Sequence, residues 1–165
     1  MKHRIYVKTT RLRDWDYAAA AWYFVTICTR GRRHMFGDVI DGEMRPSAAG
    51  QIASEEWLRA PAVRSNVSLD EFVVMPNHIH GIIMIEEWAP AARPAAPHRG
   101  AATRPRLPPN SLSSTIGQFK SVCTKRIWNA GDRNFAWQPR FHDHIIRSEV
   151  SLDAIRKYIR DNPVK

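Results

Sequence analysis

Two apolar runs separated by only two residues do most to limit how this chain can fold. Residues 69–75 (LDEFVVM) and 78–86 (HIHGIIMIE) are rich in β-branched and aliphatic side chains, and only Pro76 and Asn77 stand between them. A connection that short leaves room for a tight turn and nothing more, so the two runs are predicted to pair as an antiparallel hairpin. Residues 22–30 (WYFVTICTR) read as another strand, ended by Gly31, and residues 141–146 (FHDHII) as a further one. A short strand or hairpin arm is expected around residues 38–45.

Helical spacing separates these strands. Ser47 offers a cap for a helix over residues 48–65, with Ile52, Trp57 and Val63 as its apolar stripe and Pro61 weakening its second half. Ser111 opens a helix of about 18 residues on which Leu112, Ile116, Phe119, Val122, Cys123 and Ile127 recur at helical spacing. Its polar positions include Lys120, Lys125 and Arg126. A last helix begins at Ser151, carries Leu152, Ile155, Tyr158 and Ile159, and must stop at Pro163. The alternation predicts an α+β fold, a ferredoxin-like antiparallel sheet with helices packed on it. At 165 residues the whole chain fits one domain that needs no disulfide staples. Residues 88–110 are nearly all Ala, Pro and Arg, a composition with too little apolar bulk to pack, and read as a flexible basic loop inside that domain.

Charge narrows the partner. The net charge is +9 and the isoelectric point about 10.2, with Lys and Arg spread along most of the chain. A polyanion is the expected partner, although a basic surface also serves plain solubility. Cys28 and Cys123 lie in apolar stretches without a CxxC spacing, as expected of two reduced, packed thiols in a cytoplasmic protein. Residues 1–16 lack the apolar core of an export signal, and the run 18–27 is too short for a bilayer, so neither export nor membrane insertion is expected.

The chemistry-bearing residues are few. On a strand, His78 and His80 project from one face with Ile79 on the other, and two imidazoles so placed can hold one divalent metal or merely decorate a half-exposed strand. Tyr158 and Asn162 are four apart on the last helix, so a phenol and an amide share one face. A lone Tyr on an amphipathic helix is usually a core residue, and Asn before Pro is a common stop. His142 and His144 repeat the strand spacing around Asp143 and compete as a metal pair or as supports for the first pair. Arg30, Arg32, Arg33, Lys120, Lys125 and Arg126 are candidates for phosphate contacts.

The strings MPNHIH (75–80), QFKSVCTKRIW (118–128), FHDHIIRSE (141–149) and YIRDNPVK (158–165), in this order, resemble the single-tyrosine HUH transposases of bacterial insertion sequences, within them the REP-associated tyrosine transposases. The resemblance spans residues 22–165; the insertion at 88–110 is not a hallmark of that family. It implies that His78 and His80 bind Mg²⁺ or Mn²⁺, that Asn162 completes the metal site, and that Tyr158 is the nucleophile. It further implies cleavage and rejoining of single-stranded or hairpin DNA through a 5′-phosphotyrosine, with hairpin-forming repeats and a guide tetranucleotide as substrate. A homodimer stays open. Two other classes compete: a domesticated nucleic-acid-binding protein that no longer cuts, and a metal-dependent phosphodiesterase that uses water in place of Tyr158.

Overall fold

In the computed structural model, residues 14–87 and 109–162 are described; the expectations for the N-terminal segment, for most of the loop at 88–110 and for Pro163 lie outside them. The strands β1 (Ala21–Cys28), β4 (Val67–Met75), β5 (His78–Ile85) and β6 (His142–Ile146) form one antiparallel sheet in the order β4-β5-β1-β6. A separate hairpin, β2 (Gly37–Ile40) and β3 (Glu43–Pro46), fills the region where a single arm was expected. Helices α1 (Ala48–Leu58), α2 (Ala60–Val63), α3 (Leu112–Asn129) and α4 (Glu149–Asp161) complete the described elements. With α1 between β1 and β4 and α3 between β5 and β6, the main sheet has the βαββαβ order of a ferredoxin-like fold. The helix α4 is an addition to that plan.

The sequence explains most boundaries. Ser47 and Ser111 cap α1 and α3, their hydroxyls accepting from the Gly50 and Ser114 amides. The helix expected over 48–65 breaks instead at Arg59, because Pro61 cannot donate into a continuing ladder and opens the short α2. Val63, expected in the apolar stripe, is exposed. The last helix starts earlier than Ser151: Ser148 is its cap, accepting from the Ser151 amide.

Strand alternation sorts the sheet into two faces. One carries Tyr23, Val25, Ile27, Ile79, Ile83, Ile85 and Ile145, and packs with Trp57 of α1 and Leu112, Ile116, Phe119, Cys123 and Ile127 of α3 in the main core. Gly81 sits on this face because nothing larger fits: a Cβ there would lie 2.2 Å from Trp57 Cζ2. The other face holds a smaller core in which Ile82 and Ile146 meet Ile159 of α4, flanked by Trp22, Phe24, Leu152 and Ile155. Ion pairs add to this: Arg156 holds Asp70 at 2.5 Å and Arg160 holds Glu71 at 3.0 Å. Both acids lie at the irregularity in β4 between Leu69 and Phe72.

Candidate active site and nucleic-acid interface

The register of the sheet brings the site residues together on the α4 face. Thr26 of β1 faces His80 on one side and His142 on the other, and Cys28 faces His78. The two rings of His78 and His80 lie 4.4 Å apart between centroids, edge to face. The strand spacing therefore does what was expected of it. His142 and His144 are exposed on the same face but on the edge strand β6, with β1 standing between them and the first pair.

Each central imidazole is held by its Nδ1. In His78 this nitrogen lies 2.6 Å from Asn77 Oδ1, and Asn77 Nδ2 in turn donates to the Arg32 carbonyl at 3.2 Å. With its amide engaged at both ends, Asn77 has one orientation, so His78 carries its proton on Nδ1 and keeps a lone pair on Nε2. In His80 the Nδ1 lies 2.9 Å from Thr26 Oγ1, and Nε2 faces the Tyr158 hydroxyl at 3.4 Å, longer than a strong hydrogen bond but within reach. Phe24 stacks on His80 at 5.2 Å and meets the Tyr158 ring edge-on at 6.1 Å. Tyr158 itself is 43% exposed. Its ring packs on Phe24 and its hydroxyl points toward His80.

Burial sets the charge state. His80 is pushed down to about 4, first by desolvation and then by the neighbouring His78; His78 is lowered by desolvation and by the Arg32 charge. Both imidazoles are thus neutral at neutral pH, the form that binds metal. Asn162, the C-cap of α4, follows Tyr158 by one turn, and its Nδ2 is buried with no hydrogen-bond partner. An unmet amide donor calls for an acceptor oxygen, such as one of a phosphate, and not for a cation. Among the described residues no cluster of three or more His, Cys, Asp or Glu could hold an ion, so an ion bound here would draw on Asn162, water and substrate oxygens. Two neutral imidazoles on one strand face, their rings 4.4 Å apart, are donors of the type that fits an incomplete, open site.

The basic candidates divide. Arg30 and Arg32, in a 3-10 turn (Arg30–Arg32), and Arg33 beside it are exposed at the β1 end that faces His78. Lys120 is partly buried, its Nζ donating to the Gln138 carbonyl at 2.9 Å and to that of Arg140, while Lys125 is exposed. Arg126 is already paired with carboxylates. Its guanidinium bonds Glu56 at 2.6 Å and Glu55 at 2.7 Å, tying α3 to α1, because the nearly buried Glu56 needs a cation more than the solvent does. Sequence reasoning passed over Thr26, Asn77 and Phe24. The only local signal for Thr26 was a hydroxyl interrupting an apolar strand, and for Asn77 its place beside His78.

No family model matches the sequence. A Haemophilus influenzae protein described as uncharacterized is 34% identical over 161 residues, covering 95% of this chain and 88% of its own length. The structure of a REP-associated tyrosine transposase bound to a REP hairpin superposes with a TM-score of 0.62 at 21% identity, covering 95% of this chain and 73% of the other. The likeness read from the four sequence strings is thus matched by the fold, with its antiparallel sheet and packed helices. Among the described residues no helix is long and apolar enough to cross a membrane. The chain belongs to one family with the Haemophilus influenzae protein, and its fold is that of a REP-associated tyrosine transposase.

Proposed function

We propose that this protein cleaves and rejoins single-stranded DNA, with Tyr158 as nucleophile and hairpin DNA as substrate. The observation that carries the reading is the approach of the Tyr158 hydroxyl to the Nε2 side of His80, the side left open because Thr26 engages Nδ1. The phenol and the Nε2 of a neutral imidazole thus face the same space. The solved transposase of this fold is bound to a REP hairpin, which supports a folded single strand as the substrate class.

His78, His80 and Asn162 would hold a divalent ion, whose positive charge would polarise the scissile phosphate and offset the charge of the transition state. Imidazole donors favour Mn²⁺ over Mg²⁺ on ligand softness. The protein's own residues do the rest. Phe24 and the α4 core orient the Tyr158 ring, and its hydroxyl attacks phosphorus. The new bond is a 5′-phosphotyrosine; the bond broken is that to the 3′-oxygen, which takes up a proton as the phenol gives one up. Attack by a 3′-hydroxyl on the phosphotyrosine reverses the step with no energy source, which is what joining requires. Arg30, Arg32 and Arg33 line the approach and would neutralise neighbouring phosphates.

The test is incubation with single-stranded and hairpin DNA and Mn²⁺ or Mg²⁺, followed by a denaturing gel. Wild type forms a covalent adduct; Tyr158→Phe binds DNA and forms none. Cutting by Tyr158→Phe would instead indicate a water-using phosphodiesterase, and binding by wild type without any adduct a domesticated binding protein.

A further inference from the structure

A second feature lies on the opposite side of the sheet. The last turns of α3 and the loop that follows enclose a groove of about 560 Å³, lined by Lys120, Thr124, Lys125, Trp128, Asn129 and Arg133 with Trp137 at its wall. Two properties make it suited to a polyanion with flat bases. Its cations are available: among the described residues Lys125 and Arg133 join no ion pair, whereas Arg126, Arg156 and Arg160 on the helices are all paired with carboxylates. No acidic residue lines it. Its aromatic wall is also held in place. Trp128 is 40% exposed, yet its Nε1 donates to the Phe135 carbonyl at 3.0 Å, so the indole is fixed by its edge. Behind it Lys120 lies 5.8 Å over the Trp137 ring.

The groove is joined to the histidine site by backbone pairing. Trp137 bridges Thr29, the Gln138 amide donates to the Cys28 carbonyl, and the Arg30 amide donates to the Ala136 carbonyl. Cys28 is the residue that faces His78 across the sheet. Trp137 and His78 therefore stand two strand spacings apart, roughly 10 Å between backbones, on either side of the end of β1. The exposed turn of Arg30, Arg32 and Arg33 caps that end.

We infer that this groove binds the unpaired DNA strand beyond the scissile phosphate, one base lying against Trp128 and the flanking phosphates meeting Lys125 and Arg133. The strand leaves the histidine side, passes the arginine turn and enters the groove on the α3 side. Fixed aromatic faces with free cations beside them are what sequence-tolerant single-strand binding requires, since every base has a face to stack.

The inference rests on the DNA-cleaving reading, and the experiment separates the two. Binding of a fluorescein-labelled single-stranded oligonucleotide of mixed sequence is followed by anisotropy in EDTA, where no cutting intrudes. Trp128→Ala should weaken binding by about tenfold, and Trp128→Phe should recover most of that loss. The Lys125→Glu/Arg133→Glu double variant should weaken it at least as much, while Arg45→Glu on the β2–β3 hairpin, the same charge reversal as a single remote change, should do little. Thermal melts identify any variant that is not folded, and a bromodeoxyuridine oligonucleotide irradiated on the wild type should crosslink within residues 124–133. Wild-type affinity in both Trp128→Ala and the double variant, with crosslinks elsewhere, overturns the groove while leaving DNA binding standing. Absence of binding by the wild type overturns the DNA reading itself, before any variant is compared.

Discussion

Replacing Thr26 by Val tests the arrangement around His80 without touching any group that would meet substrate or ion. The two side chains have nearly the same shape, so the strand and its packing are preserved, and what disappears is the hydroxyl 2.9 Å from His80 Nδ1. His80 is only 7% exposed, so water cannot readily take the hydroxyl's place. An imidazole nitrogen left unmet in such surroundings costs about 1–3 kcal/mol. The ring can reduce that cost by moving its proton to Nε2 and donating to Tyr158, which removes the lone pair that would bind an ion. Loss of such a supporting partner typically lowers metal affinity about 10- to 100-fold, or about 1.4–2.7 kcal/mol. Mn²⁺ titration by calorimetry measures the affinity and the denaturing-gel assay the adduct; Thr26→Ser, which keeps the hydroxyl, should stay close to wild type. Wild-type Mn²⁺ affinity and adduct yield in Thr26→Val would refute the idea that the Nδ1 contact sets up Nε2.

Three further outcomes are expected. Gly81→Ala should lower the melting temperature, because its Cβ would meet the nearly buried Trp57 at 2.2 Å and overpacking of this kind costs about 1–3 kcal/mol, or about 2–4 °C per kcal/mol; unchanged melting would mean the indole has room to move. Arg126→Gln should destabilise the fold through the loss of the Glu55 and Glu56 pairs while single-strand affinity stays the same, and a selective loss of affinity would restore Arg126 as a phosphate contact. The hydrogen bonds from Arg156 hold the Asp70 carboxyl below the usual carboxylate range, so its stabilisation is full above the unfolded value of about 4 and fades as acid protonates the folded group. Asp70→Asn should therefore melt lower than wild type at pH 7, with the gap closing under strong acid; a gap independent of pH would remove the charge from the explanation.

Legibility in the sequence followed the range of the interaction. The hairpin across Pro76 and Asn77, the Ser47 and Ser111 caps and the shared face of His78 and His80 depend on residues a few positions apart, and local physical rules reach them. The break at Arg59 was half visible, since Pro61 was seen but the strength of its effect depended on how the chain then had to enter β4. The start of α4 was misplaced by one capping serine for another, Ser148 and Ser151 both fitting the signal. What escaped were contacts between distant segments. Thr26 reaches His80 across 54 positions, and Arg126 reaches Glu56 across 70, distances over which a single sequence offers no pairing signal.

The α4 face of the sheet shows why a helix beyond the ferredoxin-like plan is needed. Cross-strand rows on this face run from apolar to polar along β1: Ile146, Trp22 and Met84 share one row, His144, Phe24 and Ile82 the next, and His142, Thr26, His80 and Val73 the third. An antiparallel sheet covered on one side only would leave Trp22, Phe24 and Ile82 in water. The apolar side chains of α4, Leu152, Ile155 and Ile159, cover those rows. At the row of His80 the apolar cover narrows to Val73, and the buried imidazole meets polar partners, Thr26 on one nitrogen and Tyr158 on the other. Tyr158 stands at the boundary, its ring against Phe24 and its hydroxyl toward His80, because an aromatic with one polar end is the side chain that suits a dry row beside a polar one. The same gradient that fixes where α4 can lie also fixes where its tyrosine points. A change that made the third row apolar, such as His80→Leu with Thr26→Val, would be expected to stabilise the fold while removing the open imidazole face, separating what holds the helix from what the site can do.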